Sequence, residues 1–96
     1  MIAVIATFTV SKVKADRFEG VARDLIAKVR ANEPGVTLYK LARARKEPNL
    51  FKFMELYASK DAFKAHGGTD YFQQAFAAMK PLLAGDPLIE VLEEIA

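Results

Sequence analysis

The sequence predicts an α+β fold whose elements follow the order β-α-β-β-α-β. Four segments are rich in apolar residues that alternate along an extended chain, which is the pattern of strands with a buried face. Two of the three stretches between them repeat apolar residues every three or four positions, which is the pattern of helices that bury one side. In this arrangement the helices cover one face of an antiparallel sheet and leave the other face uncovered.

The first strand and the first helix have the clearest patterns. Residues 2–10 place Ile2, Val4, Phe8 and Val10 on one side of an extended chain and therefore predict a strand. The helix that follows carries one apolar stripe, formed by Phe18, Val21, Ala22, Leu25, Ile26 and Val29. We expect the carboxylate of Asp16 to accept backbone N–H bonds near the start of this helix, and Pro34-Gly35 to end it.

The middle of the chain predicts a hairpin. Residues 36–45 and 50–58 read as two strands, separated by the turn Lys46-Glu47-Pro48-Asn49, in which the proline fixes one φ angle.

Two helices and a last strand follow the hairpin. Ser59 is a good N-cap for a short helix through His66, and Gly67-Gly68 ends that helix before Thr69 caps the next one. The second of these helices has an aromatic face formed by Tyr71, Phe72, Ala75, Phe76 and Met79. Residues 88–95 predict the last strand.

Length and composition exclude several classes of protein. A chain of 96 residues forms a single domain, residues 1–96, and the lack of cysteine excludes disulfides and zinc-thiolate sites. The net charge of +2 is spread along the chain, which argues against a nucleic-acid partner. The apolar N-terminal run is too short to cross a bilayer and lacks a basic leader. We therefore expect a cytoplasmic protein with no membrane partner.

Both faces of the predicted sheet are apolar. In the first strand Ala3 and Ile5 lie opposite the buried side, and in the third strand Met54 and Leu56 lie opposite Phe53. A second copy that stacks sheet on sheet would bury this surface, at roughly 25 cal/mol per Å² of apolar area. We therefore expect a homodimer formed through the sheet face.

One stretch has the spacing of a known family. The segment from Phe51 to Ser59 has the form F-x-x-x-E-x-Y-x-S, and it is followed by a short helix and then by H-x-x-T-x-Y-F, which begins at His66. This spacing resembles the antibiotic biosynthesis monooxygenase family through Phe51, Glu55, Tyr57, Ser59, His66, Thr69 and Phe72. Tyr71 stands where many members carry a second histidine. The turn Asn32-Glu33-Pro34-Gly35 and Pro48 also look like the family, so the resemblance covers nearly the whole chain.

The resemblance implies a ferredoxin-like fold that forms a dimeric α+β barrel, with a pocket between the sheet and its own helices. Such enzymes oxygenate electron-rich phenols or quinols with O₂ and use no metal or flavin. A deprotonated polycyclic phenol can itself donate an electron to O₂, so the protein has to bind it, remove a proton and exclude water. We therefore expect a small aromatic substrate and no cofactor.

Three residues are candidates for proton transfer. His66 is the only histidine, and histidine changes charge near neutral pH. Glu55 lies on the aromatic face of the third strand, where loss of water would raise its pKa, and Tyr71 could hydrogen-bond a substrate oxygen. Structural roles remain open: His66 could cap the end of the short helix, and Glu55 could pair with Arg43 or Arg45.

The candidate substrate contacts are mostly aromatic. Tyr57 could stack on a ring and bind an oxygen through its hydroxyl, unless it is simply part of the core. Phe53, Phe63 and Phe72 complete the aromatic lining that we expect. Asn32 could orient a carbonyl group, although a residue beside Pro34-Gly35 could equally be part of the turn.

Other functions fit the sequence less well. Haem-degrading members of the same superfamily carry a Trp at the position of His66 and the iron-ligating His at that of Phe76, and Thr7 stands near an asparagine that they use. RNA-recognition domains share the order of elements, but the segment Leu50 to Tyr57 lacks their glycines and contains an acidic Glu55.

Two alternatives remain open from the sequence. One is an enzyme that isomerises or degrades small signalling molecules, for which hairpin cations would bind a phosphate: Lys40, Arg43, Arg45, Lys46 and Lys52. The other is a module that binds an apolar ligand without catalysis.

Overall fold

The computed structural model describes residues 1–96 as one antiparallel sheet with helices on one face. The elements are β1 (Ile2–Thr9), α1 (Ala15–Asn32), β2 (Val36–Arg43), β3 (Leu50–Tyr57), α2 (Lys60–Gly67), α3 (Asp70–Met79) and β4 (Leu88–Glu93). Short 3-10 turns at Lys12–Lys14 and Lys80–Leu82 precede α1 and follow α3. The sheet has the strand order β2-β3-β1-β4 with antiparallel neighbours throughout, as in a ferredoxin-like fold. The predicted order of elements is confirmed.

The sheet is open within one chain and does not form a closed barrel. The edge strands β2 and β4 each pair with one neighbour only, so the barrel of the resemblance is not formed by this chain alone. Every residue of β4 is exposed, and its large apolar side chains Leu88, Ile89, Val91 and Leu92 are 45–58% exposed. The edge strand β4 is therefore exposed along its whole length.

The core lies between α1 and the centre of the sheet. Alternate residues of β1 face α1. The apolar stripe of α1 places four residues in the interior: Phe18, Ala22, Leu25 and Val29. The ring of Phe18 packs 4.8 Å from that of Phe51 and 5.5 Å from that of Phe8, measured between centroids. This aromatic cluster packs α1 against the strands.

The predicted caps of the two short helices are confirmed. The hydroxyl oxygen of Ser59 accepts a hydrogen bond from the N–H of Ala62 at 3.1 Å, and that of Thr69 accepts one from the N–H of Phe72 at 3.3 Å. The expected cap of α1 is wrong. Asp16 lies inside the first turn, where its carboxylate makes no capping bond, because the helix begins at Ala15 after a 3-10 turn.

The strands are one or two residues shorter than the sequence patterns predict. Val10 leaves β1 and forms an isolated bridge with Leu83, although it remains fully buried. Alternation of buried residues therefore continues past the last ladder hydrogen bond, which is why periodicity alone places the strand end too late.

Gly35, in the turn between α1 and β2, allows a close approach of α2. A Cβ atom at this position would lie 2.9 Å from the Cβ of Ala62, whereas one at Gly85 would meet no atom within 4 Å. We expect Gly35→Ala to lower the free energy of unfolding by about 1–3 kcal/mol through overpacking. Urea denaturation measures this effect. Gly85→Ala is the matched control, and Ala62→Gly should recover part of the lost stability in the Gly35→Ala background, less the cost of a glycine inside α2. Equal stability of the Gly35→Ala and Gly85→Ala variants would contradict the steric explanation.

Candidate active site

A cavity of about 430 Å³ lies between the sheet and its helices. Every element except the two 3-10 turns contributes to its wall: Val4, Ala6 and Phe8 from β1, Leu25 from α1, Tyr39 from β2, Phe53 and Glu55 from β3, Phe63, Lys64, His66 and Gly67 from α2, Phe72, Phe76 and Met79 from α3, and Ile89 from β4. The wall is mostly apolar, and this volume falls within the range of small-molecule sites.

Strand register brings the polar groups of the sheet to one place. Glu55 stands opposite Tyr39 in β2 and opposite Val4 in β1, so these three side chains point to the same face of the sheet. The turn Pro34-Gly35 returns the chain from α1 to β2 and holds Glu33 above this face. Helix α2 then places His66 over the same region.

His66 is buried and bonded through both ring nitrogens. It is 3% exposed, although it belongs to the last turn of a short surface helix. Its Nδ1 lies 3.1 Å from each carboxylate oxygen of Glu33, and its Nε2 lies 3.2 Å from the hydroxyl of Tyr39. The ring of Phe72 packs at a centroid distance of 4.8 Å. The imidazole therefore has a fixed orientation, and its nitrogens do not cap helix carbonyls.

Glu33 is held by a second donor. The hydroxyl of Tyr71 donates a short hydrogen bond to Oε2 of Glu33, one of the two oxygens that face Nδ1 of His66. Burial and this hydrogen bond raise the pKa of Tyr71 to about 12, so the phenol remains a neutral donor at physiological pH. The carboxylate of Glu33 thus joins α3, α2 and the end of α1.

Glu55 is a second buried acid in a different environment. Its Oε1 accepts a hydrogen bond of 2.6 Å from the hydroxyl of Tyr57. Burial raises the pKa of Glu55 to about 7, an effect that the bond from Tyr57 opposes and the negative charge of Glu33 increases. Glu55 can therefore carry or release a proton near neutral pH.

No arginine side chain forms an ion pair with Glu55. Arg43 lies over the ring of Phe51, 4.6 Å from its centroid, and its Nη2 is 3.8 Å from a carboxylate oxygen of Glu19. Arg45 lies exposed beyond the end of β2 and forms no ion pair. The register pairs Arg43 with Phe51, four residues along β3 from Glu55, where its side chain reaches Glu19 of α1.

Six of the eight predicted site residues meet at or directly behind the cavity. Five of them line it: Phe53, Glu55, Phe63, His66 and Phe72. Tyr57 is fully buried behind them and contacts the site through Glu55.

The structure does not bring Tyr71 or Asn32 to the cavity wall. Tyr71 reaches the site only through Glu33. Asn32 is exposed, and its amide donates to the carbonyl of Lys28 at 2.8 Å, because it ends α1 on the solvent side. The side chain of Asn32 therefore has a local backbone role and does not reach a substrate in the cavity.

Sequence reasoning missed Glu33 and Tyr39, which hold His66. A signal for Tyr39 exists in the hairpin, since counting outward from the turn pairs it with Glu55. Glu33 carries no such signal, because only the folded chain brings it to a histidine 33 residues later. Phe76, where haem-degrading relatives place their ligand, is a wall residue of the cavity.

No cluster of three His, Cys, Asp or Glu side chains that could hold a metal ion is present in residues 1–96. None of the helices combines the length and the apolar character that crossing a membrane requires.

Comparison with known proteins gives a consistent family. A family model described as Antibiotic biosynthesis monooxygenase matches residues 1–78. A crystal structure from Caulobacter crescentus, whose protein carries the provisional name antibiotic biosynthesis monooxygenase, is 54% identical with a TM-score of 0.95, over 99% of this chain and 90% of that one. No curated protein sequence matches the chain.

More distant structures share the fold. A protein from Pseudomonas aeruginosa is 28% identical with a TM-score of 0.88, over 99% of this chain and 94% of that one. A Deinococcus radiodurans protein with the same provisional name is 23% identical with a TM-score of 0.91, over 100% of this chain and 94% of that one, and this likeness concerns the fold alone.

The raised pKa of Glu55 predicts a pH dependence of stability. Between its ordinary value of 4.5 and about 7, the folded protein binds the Glu55 proton more tightly than the unfolded chain. The Glu55 contribution to the free energy of unfolding is therefore present below pH 4.5 and falls by up to roughly 3 kcal/mol as pH rises through this window. Glu55→Gln should lose this decline and be the more stable form above neutral pH.

Urea unfolding of both proteins between pH 4 and 8 measures the difference. Glu47→Gln, which changes an exposed carboxyl in the hairpin turn, should keep the wild-type pH profile. Parallel profiles for the wild type and Glu55→Gln would show that Glu55 titrates as it does in the unfolded chain.

Proposed function

The chain belongs to the antibiotic biosynthesis monooxygenase family, and on that premise we propose that it oxygenates a phenolic or quinol-type aromatic molecule with O₂, without metal or flavin. The observation that carries the proposal is a single imidazole, buried in an apolar cavity and held by a carboxylate. A site of this kind can ionise a bound phenol and keep water away from it.

The cavity suits a flat, apolar ring system. Phe53, Phe63 and Phe72 line it, and they present ring faces and edges to any guest. Its volume of about 430 Å³ is sufficient for a molecule of a few fused rings.

His66 is the proton acceptor in the proposed reaction. A phenol that loses its proton becomes an electron-rich phenolate, which can donate an electron to O₂. The carboxylate of Glu33 at Nδ1 stabilises the imidazolium that forms, as the acidic member of a catalytic triad does.

Glu55 supports the second half of the reaction. The substrate itself supplies the four electrons: one atom of O₂ becomes a ring carbonyl oxygen, which leaves the ring as a quinone, and the other atom leaves as water, which needs two protons at the oxygen that departs. A buried carboxyl with a pKa of about 7 is protonated in much of the population at neutral pH, so Glu55 can supply one of them. His66 returns the proton that it took from the substrate.

The proposed enzyme works as a homodimer. Pairing in the sheet places Leu92 and Leu88 on the face away from the helices, opposite Ala3 and Thr7 of β1, with Glu90 opposite Ile5 between them. Met54 of β3 lies on the same open face and is 40% exposed. A second copy stacked on this face would remove an apolar surface from water that no part of this chain covers.

We expect His66→Gln to reduce turnover by on the order of 10² or more, because glutamine fills the site but accepts no proton. Oxygen uptake with a panel of anthrones and quinols measures the effect. Lys60→Ala, an exposed change on the same helix, is the control for folding and should match the wild type. Unchanged rates in His66→Gln would remove His66 from the slow step, and binding of the panel without uptake by the wild type would favour a binding module.

Disruption of the open face tests the homodimer. Leu92→Glu places a charge on this face and should convert a micromolar dimer to a monomer in sedimentation velocity experiments. Val13→Glu is the matched control, since Val13 is 93% exposed outside the sheet and its change should leave the dimer intact. A wild-type protein that sediments as a monomer at that concentration would contradict the proposal.

A further inference from the structure

Both ring nitrogens of His66 are occupied by groups of the protein itself. Nδ1 faces Glu33, and Nε2 lies 3.2 Å from the hydroxyl of Tyr39. A neutral imidazole has one N–H and one lone pair, so neither nitrogen is free to bind a substrate. A proton that leaves the substrate for His66 therefore has to pass through one of these two partners.

Glu33 sets the direction of the hydrogen bonds. An ionised carboxylate only accepts, so the proton of the neutral ring stays on Nδ1 and the lone pair stays on Nε2. The hydroxyl of Tyr39 therefore donates to Nε2, and its oxygen keeps lone pairs for another donor. Tyr39 lines the cavity, whereas Glu33 does not. The only partner of His66 that a substrate in the cavity can touch is Tyr39.

We infer that Tyr39 is the catalytic residue that contacts the reacting hydroxyl of the substrate and passes its proton to His66, with Glu33 as the positioning residue. The inference rests on the proposed function and narrows it. It requires a substrate with a free phenolic or enolic hydroxyl that reaches the Tyr39 oxygen, and it excludes the corresponding methyl ethers as substrates.

The transfer is balanced as a relay of two protons. The O–H bond of the substrate breaks as a new O–H bond forms on Tyr39. The original O–H bond of Tyr39 breaks as an N–H bond forms at Nε2 of His66. The net change is a substrate phenolate and an imidazolium, Tyr39 is neutral before and after, and no electrons move between these groups.

The environment of Tyr39 favours a relay over a stored tyrosinate. Burial raises the pKa of Tyr39 far above its ordinary value, and the negative charges of Glu55 and Glu33 raise it further. An anionic Tyr39 is therefore too costly as a resting species, so its hydroxyl gives up one proton only as it receives another. The imidazolium that results is stabilised at once by Glu33.

The other ionisable or charged groups around the relay do not replace it. They are Arg30 of α1, which donates to the backbone carbonyl of Tyr39 at 3.5 Å, Glu55 and Tyr57 of β3, Lys64 of α2 and Tyr71 of α3. None of them contacts Nε2 of His66. Glu55 and Lys64 face the cavity and Tyr71 faces Glu33, so Tyr39 alone connects the cavity with the lone pair of His66.

Ionisation of a bound phenol tests the relay without oxygen. The experiment is an anaerobic pH titration of 4-nitrophenol bound to the wild type, followed by the phenolate absorption band. The apparent pKa of the bound phenol should lie about one unit below the pKa of free 4-nitrophenol. This shift corresponds to a tenfold preference of the site for the anion. Tyr39→Phe should bind 4-nitrophenol with affinity within about threefold of the wild type and lose the shift. Thr37→Val removes a hydroxyl from the exposed side of the same strand and should keep it.

Turnover supplies the second readout. With an anthrone that the wild type oxidises, Tyr39→Phe should lower kcat by about 10²-fold and leave KM within about threefold, which separates a lost proton transfer from lost binding. The double variant Tyr39→Phe/His66→Gln should be no slower than His66→Gln alone, because both changes interrupt one path.

The methyl ether 4-nitroanisole is the control ligand for the nitrophenol titration. It has no hydroxyl proton to lose, so it should bind without any spectral change.

The outcomes separate the relay from the oxygenase. If Tyr39→Phe keeps the wild-type kcat and the wild-type nitrophenol shift, the relay is wrong. The proposed oxygenase activity would be unaffected by that result. Tyr39-dependent ionisation in a protein that consumes no O₂ would support the relay and overturn the oxygenase. A wild type that leaves bound 4-nitrophenol protonated would also overturn the relay.

Discussion

The buried pair between Glu33 and His66 is the interaction on which the site depends. It joins the end of α1 to the last turn of α2, two segments that share no ladder and lie 33 residues apart in the chain. Burying such a pair costs solvation, and the hydrogen bonds from Tyr71 and Tyr39 offset that cost by satisfying the remaining acceptors. The same bonds hold the imidazole ring in one orientation.

The cavity is the second constraint, because folded proteins ordinarily fill such space. At one end of the sheet the rings of Phe8, Phe18 and Phe51 pack closely enough to exclude any guest. At the other end the short helices α2 and α3 span the sheet and leave about 430 Å³ between their side chains and the strands. An empty space of this size costs packing energy, which a bound apolar molecule would recover.

Two carboxylates near one imidazole have separate roles because their surroundings differ. Glu33 lies within hydrogen-bond distance of both Tyr71 and His66. Glu55 has one donor, Tyr57, and lies among apolar side chains that raise its pKa to about 7. In the proposed reaction one acid therefore stabilises a cation, while the other carries a proton, which is the division that acid–base chemistry at neutral pH needs.

The sequence by itself determined the order of the elements, the two helix caps, and the cavity positions of Phe53, Glu55 and His66. These follow from local rules: strand and helix periods assign each side chain to a face, and a hydroxyl one residue before a helix satisfies its free N–H groups. Only the tertiary structure decided what those residues contact. It brought Glu33 and Tyr39 to His66, placed Arg43 beside Glu19 rather than Glu55, and left Asn32 on the solvent side of its helix. Such contacts depend on the crossing of helices over the sheet and on strand register, which join residues far apart in the chain and leave no periodic trace in the sequence.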